Sequence, residues 1–283
     1  LEEKVLNKNH LSFSGLLITL GIIYGDIGTS PLYVMQAIIG KSTIDKELIL
    51  GSVSCIFWTL ILITTFKYVY LALKADHQGE GGIFSLYALV KKHPAKWPLI
   101  AALIGCSALL ADGFITPPIS ISSAIEGLNI IYPKLPTIPI VLTILFLLFI
   151  FQQFGTSIIG KTFGPIMFLW FTVIGILGLI KVIEYPFIFS ALNPYYAFQL
   201  LFNHPGGFWI LGAVFLCTTG AEALYADLGH CGKKNIQLSW IYVFCCLILN
   251  YMGQSIWCLQ HDGQLLNDVS PFYALIPSAY LTY

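Results

Sequence analysis

Asp26, Asp112 and Glu222 are acidic residues set in stretches that are otherwise almost wholly apolar. An ionised side chain at the centre of a membrane helix costs roughly 2.5–3.5 kcal/mol on insertion scales, so a chain that keeps three of them must offset that cost. A bound cation, a proton or a water-filled path does so, and each of these belongs to transport chemistry. Around Asp26 the run Gly25-Asp26-Ile27-Gly28-Thr29-Ser30-Pro31 interrupts a helix. Pro31 has no N–H for the carbonyl of Ile27 and Gly28 weakens the preceding turn, which leaves main-chain oxygens free to act as ligands. Tyr33 follows about two turns after Asp26, close enough for a distorted helix to aim both at one cavity.

The other two acids sit in comparable company. Asp112, Thr116 and Ser120 recur at every fourth position and so stack along one helical face, while Pro117 and Pro118 release the carbonyls of Gly113 and Phe114. Oxygens of this kind can replace the hydration shell of a potassium ion. Thr219 and Glu222 share a face with Tyr225, and a membrane-embedded glutamate is a residue type that loads and releases protons. Each pattern also has a structural reading: a kinked helix whose Asp caps a neighbour, hydroxyls bonding back to their own helix, or a protonated Glu bonding a facing helix. Glu126, two turns beyond Ser120, reads as a solvated residue near the outer interface. Glu80 lies in the loop Asp76-His77-Gln78-Gly79-Glu80-Gly81-Gly82, which lacks the spacing and lysine of a phosphate-binding loop and is expected to make a tight turn, with gating as a secondary role. His230 has no partner at metal-ligand spacing.

The elements that must position these residues are membrane helices. Apolar residues make up 57% of the 283 positions and charged residues 10%, a ratio that one soluble core could not hide. Net charge is zero and every basic residue is Lys, so neither a nucleic-acid surface nor a guanidinium clamp on an anion has residues to build it. The seven cysteines form no paired CxxC motifs, and six of them lie in apolar stretches as small buried hydrophobes.

Seven spans are expected at about residues 15–39, 48–73, 98–131, 138–154, 164–183, 207–228 and 237–259, with the start of an eighth after Pro271. Lys4, Lys8, Lys74, Lys91, Lys92, Lys96, Lys161, Lys233 and Lys234 fall on one side of this layout, against Lys41, Lys46, Lys134 and Lys181 on the other. That bias predicts a cytoplasmic amino terminus, with Lys67 uncounted inside the second span. The chain opens on Leu1 instead of methionine, as a processed or partial chain would. An odd number of spans between similar units inverts the second unit, and the interruptions of the first and sixth spans, each with a carboxylate beside glycine and hydroxyls, occupy corresponding positions of a five-span repeat. The expected organisation is therefore a cytoplasmic segment at 1–14 and a first five-helix repeat at 15–183 with a cytoplasmic loop at 74–97. The start of an inverted second repeat at 184–259 and an exterior loop leading into an eighth span at 260–283 complete it.

Four segments, GDIGTSPLY at 25–33, GEGGIFSLY at 79–87, ADGFITPPIS at 111–120 with AIEGL at 124–128, and GAEALYADLGH at 220–230, resemble the Kup potassium uptake family. The resemblance spans essentially the whole length. It implies an all-α membrane protein with the LeuT-like inverted-repeat helix bundle of the amino acid-polyamine-cation superfamily, here a member truncated after about seven spans. It further implies potassium–proton symport by alternating access across the cytoplasmic (inner) membrane, with no cofactor and no enzymatic activity. The partners are then potassium, protons and the lipid bilayer; nucleic acid is not among them, and a homodimer is left open. Potassium ligation is implied for Asp26, Tyr33, Thr116, Ser120, Thr219 and Glu222, and proton loading for Glu222 helped by Asp112. A potassium channel, an intramembrane aspartyl protease using Asp26 and Asp112, and an inactive truncated fragment are the alternatives.

Overall fold

A computed structural model describes residues 11–91, 96–129, 132, 135–152, 156–266 and 269–276. Among them the chain is helical, with only isolated bridges in place of strands. Among the described residues, five helical stretches are long and apolar enough to cross a membrane: Lys46–Lys74, Trp97–Asn129, Thr162–Glu184, Gly207–Ala226 and Lys233–Gln260. The expected first and fourth spans correspond to the shorter apolar helices Phe13–Ile23 and Thr137–Ile150. Most of the amino-terminal segment, Lys92, Lys134 and residues 277–283, where the eighth span was expected to continue, lie outside the described residues.

Helix α1 (Phe13–Ile23) starts where the Ser12 side chain accepts the Gly15 N–H, and it ends at the glycine-rich run beginning with Tyr24-Gly25. A short 3₁₀ turn at Ser30–Leu32, with Pro31 in its first positions, leads into α2 (Val34–Ile39). The first span is thus two half-helices around an unwound middle, as the Gly and Pro positions dictate. Asp45 caps α3 (Lys46–Thr59) by accepting the N–H groups of Glu47 and Leu48. The span then continues from Leu60 to Leu71 as a π-helix, a wider coil frequently found at functional sites.

After the 72–82 connection come α4 (Ile83–Val90), the 33-residue α5 (Trp97–Asn129) carrying Pro117 and Pro118, α6 (Thr137–Gln152) and α7 (Thr156–Glu184). A 3₁₀ stretch and α8 (Pro194–Asn203) cross the outside of α3. Its Asn193 carbonyl receives Ser54 Oγ and its Leu192 carbonyl receives Trp58 Nε1. The sixth span, expected over 207–228 with an interruption at 218–222, is more broken than that. Helix α9 (Gly207–Phe215) stops at a 3₁₀ turn, Leu216–Thr218, and the chain resumes only as the single turns α10 (Ala223–Ala226) and α11 (Leu228–Cys231). Gly220 at φ +82° supplies the left-handed residue that this break requires. Helix α12 (Lys233–Gln260) completes the described core.

Helix α1 packs against both α7 and α12, which also pack on each other. The α7–α12 approach is closest at two glycines, since a Cβ on Gly253 would lie 2.8 Å from the Cα of Gly178. Tyr24, fully buried at the end of α1, stacks on Trp240 and meets Phe171 edge-on, and its hydroxyl bonds Ser239 Oγ at 3.0 Å. Trp170 Nε1 donates to the carbonyl of Gly28 at 2.9 Å, which pins the unwound middle of the first span to α7. These contacts fix the frame against which Asp26 is presented.

Candidate functional site

The three membrane-embedded acids converge. One carboxylate oxygen from each of Asp26, Asp112 and Glu222 lies within 4.8 Å of the others, although the residues come from the break in the first span, the middle of α5 and the break in the sixth span. All three side chains are partly buried. Gly220 shows why the two breaks face each other: a Cβ there would stand 2.7 Å from Asp26 Cβ and 2.9 Å from its Oδ2. The left-handed glycine therefore serves both the turn and the close approach of the Asp26 side chain.

Hydroxyls surround the acids. Thr116 Oγ1 donates to Asp112 Oδ1 at 2.9 Å, the one-turn relation on α5 that the spacing predicts. Ser120 Oγ, one turn further, bonds Thr29 Oγ1 at 2.9 Å and so ties α5 to the first break. Thr29 Oγ1 also donates to the Asp26 carbonyl at 2.7 Å. Tyr33 is buried, its hydroxyl 3.3 Å from Ser30 Oγ and in electrostatic reach of Asp26 and Asp112. Thr219 stands in the second break with extended backbone. Among the described residues, the carbonyls of Ile27 and Thr219 receive no main-chain N–H, which follows from Pro31 in the first case and from the unwound turn in the second.

A cavity of about 540 Å³ opens on one side of this cluster and extends toward the 72–82 connection. Asp112, Thr218, Thr219 and Glu222 line its inner part, and Lys67, Tyr68 and Tyr225 line its walls. Tyr225 donates its hydroxyl to the Ala75 carbonyl at 2.5 Å, which draws the connection across the end of the sixth span. Glu80 and Glu126 stand apart from the cluster. The Glu80 carboxylate packs on Gly229 within the turn closed by reciprocal His77–Glu80 main-chain bonds. Glu126 is exposed near Tyr273, whose hydroxyl donates to the Ser123 carbonyl at 3.0 Å.

Thr29, Ser30, Lys67 and Tyr68 escape the sequence-based reading of the site as contributing side chains. Thr29 and Ser30 were visible as hydroxyls directly beside Pro31, whereas the cavity-facing role of Lys67 and Tyr68 depends on the π-helix, which no glycine or proline announces. The donor set consists of carboxylates, hydroxyls and carbonyls. Hard oxygen donors of this kind suit an alkali or alkaline-earth cation, and no sulfur or imidazole belongs to the group.

Comparison with known proteins places these features in a family. Residues 13–283 match the model described as the K+ potassium transporter integral membrane domain. A Flavobacterium johnsoniae protein bearing the name potassium transport system protein Kup is 57% identical over 281 residues, covering 96% of this chain and 43% of its own length. A Cytophaga hutchinsonii protein of the same name is 55% identical, with 98% and 43% covered, and an Enterococcus faecalis protein of that name is 50% identical, with 98% and 44% covered. The chain thus spans less than half the length of the curated relatives it matches. No solved structure matches it.

Proposed function

The chain belongs to the potassium transporter family defined by that integral membrane domain, and from this membership we propose that it carries the ion-binding part of a potassium uptake protein. It is a multi-pass membrane protein of a transporter family and not an enzyme. In this reading a largely dehydrated potassium ion sits among Asp26, Tyr33, Thr116, Ser120, Thr219 and Glu222, with the carbonyls released at the two helix breaks completing its shell.

The observation that carries the reading is the convergence of three carboxylates within 4.8 Å. Like charges about 4 Å apart repel by roughly 4 kcal/mol per pair at an effective dielectric constant of 20, so the group is held together only when positive charge shares it. A potassium ion supplies one such charge. A proton on Glu222, with Asp112 adjacent, supplies the second and couples uptake to the proton gradient. The membrane potential contributes about 2.3 kcal/mol per charge per 100 mV, so a co-transported proton doubles the electrical driving force.

Two interrupted spans meeting at one carboxylate cluster also support a LeuT-like carrier working by alternating access, in which one repeat moves against the other around the ion. The lysine bias supports a cytoplasmic amino terminus in the cell membrane. An intramembrane protease would need only Asp26 and Asp112, and the third carboxylate and the ring of hydroxyls favour ion binding.

The test is direct potassium binding to the purified 283-residue chain in lipid nanodiscs, followed by calorimetry or rubidium competition. Saturable binding is expected, with Asp26→Asn and Glu222→Gln each weakening it by at least about a hundredfold, the equivalent of two tenfold steps of 1.4 kcal/mol. Equal affinity in the wild type and both variants would overturn the assignment.

A further inference from the structure

Lys67 is a cation within the second span, and the cation-site reading gives it no role. It lines the same cavity as Asp112 and Glu222, and among the residues lining that cavity it is the basic one while they are the acidic ones. Its ammonium stands 4.7 Å from the centroid of the Tyr68 ring. Tyr68 in turn lies in electrostatic reach of Glu222. Among the described residues no carboxylate makes an ion pair with Lys67.

The placement follows from the π-helix. In an α-helix, positions nine apart, such as Ile63 and Ala72, fall on opposite faces, because 3.6 residues make a turn. Over Leu60–Leu71 the hydrogen-bond spacing widens to five residues, and Thr65 Oγ1 donates to the carbonyl of Leu60, five positions back, at 3.2 Å. Ile63, Lys67, Tyr68 and Ala72 consequently share one face, and all four line the cavity. Trp240 Nε1 holds the wide turn in place through a 2.9 Å bond to Thr65 Oγ1. The widened coil thus turns a flexible lysine into the cavity that Asp112 and Glu222 line.

We propose that Lys67 is a tethered cation that competes with the transported ion for the carboxylates of Asp112 and Glu222. This inference rests on the cation-site reading given above. When the site is empty, the ammonium swings from the Tyr68 face toward the acids and compensates part of their charge; an arriving potassium ion returns it to the ring. A four-carbon stem with three rotatable donors suits that movement, and the aromatic face gives the displaced ammonium a favourable resting place. Lys67 is in this sense a positioning and affinity-setting residue. It lowers the affinity for potassium, so that a site with three acids can still release its ion.

The experiment is potassium titration of the full 283-residue chain in nanodiscs, comparing the wild type with Lys67→Met, Lys67→Gln and Lys67→Arg. Size-exclusion chromatography confirms that each variant is monodisperse. Removing the ammonium is expected to tighten potassium binding about tenfold in both neutral variants, whereas Lys67→Arg stays within about twofold of wild type. A residue that merely supported the fold would lose affinity on substitution instead of gaining it. As a second readout, potassium should raise the rate at which an amine-directed acylating reagent labels Lys67, followed by mass spectrometry. Unchanged or weaker binding in the neutral variants, or labelling indifferent to potassium, overturns the tethered-cation role while leaving the ion site intact. Absence of saturable binding in the wild type and every variant overturns the site itself and this inference with it.

Discussion

Two buried polar regions lie within reach of the first-span break, and they differ in how their charges and hydrogen bonds are closed. On one side, Asn250 Nδ2 donates to the Ile174 carbonyl at 3.1 Å, and Gln254 Nε2 donates to Asn250 Oδ1 at 2.7 Å and to the Pro31 carbonyl at 3.0 Å. Both amides are almost wholly buried, and their donors meet acceptors inside the protein. On the other side, three carboxylates share a space under 5 Å across, with a Thr116 hydroxyl donated to Asp112 and no basic partner among the described residues. Ionised carboxylates only accept hydrogen bonds, so their assembly needs positive charge from elsewhere. Polarity that is closed internally fastens helices together; polarity left open is shaped for a guest.

That contrast breaks most sharply at the α7–α12 seam, which belongs to the closed side. A side chain at Gly178 would run into the main chain of α12, with its Cβ 2.6 Å from the Asn250 nitrogen. Gly178→Leu is expected to destabilise the chain by about 3 kcal/mol, the upper part of the range for overpacking, and to abolish binding only because the fold is lost. Thermal unfolding in detergent reads the first effect. Next in size is Gln254→Leu, which leaves the Pro31 carbonyl buried without its donor and should cost about 1–3 kcal/mol. If closed polarity is structural, potassium affinity of the folded fraction then stays within about twofold. A parallel fall in affinity would dissolve the distinction between the two regions.

Gly220→Ala probes the open side. Its left-handed backbone costs an alanine roughly 1–2 kcal/mol, and the added methyl would press on Asp26 Cβ from 2.7 Å. Displacing that carboxylate should weaken potassium binding about tenfold, an effect that Gln254→Leu does not share. Isothermal titration of both variants side by side sharpens the comparison, because a stability loss of similar size then weakens ion binding in one variant and leaves it unchanged in the other.

The open side was the more legible of the two in the sequence. Charged residues in apolar stretches are conspicuous because lipid penalises them, and Asp26, Asp112 and Glu222 stand out for that reason alone. The interruptions were legible too, since Gly25, Gly28, Pro31 and Gly220 have backbone requirements that a continuous helix does not meet. What stayed hidden depended on distant partners. Gln254 reads as an ordinary polar residue in the seventh span until its bond to Pro31, 223 positions away, is seen. The π-helix that swings Lys67 and Tyr68 into the cavity is written in β-branched and aromatic residues that suit an α-helix equally well. The early end of α9 and the single turns that follow it were likewise less readable than the break itself, because hydropathy averages over such details.

Glu126 offers the smallest expected effect and tests where the open region ends. It shares α5 with Asp112 but lies 14 positions further on, about 21 Å along the axis at 1.5 Å per residue. Its side chain is exposed, and at physiological ionic strength charges more than about 8 Å apart through solvent are largely screened. Glu126→Gln should therefore change potassium affinity by less than about twofold and stability by less than about 0.5 kcal/mol, as for a surface substitution. The measurement is the same titration used for Gly220→Ala, with unfolding temperature recorded in parallel. A tenfold weakening would mean that the ion senses charge along the whole of α5, and the site would then be a path lined from end to end in place of a cluster bounded by the two helix breaks.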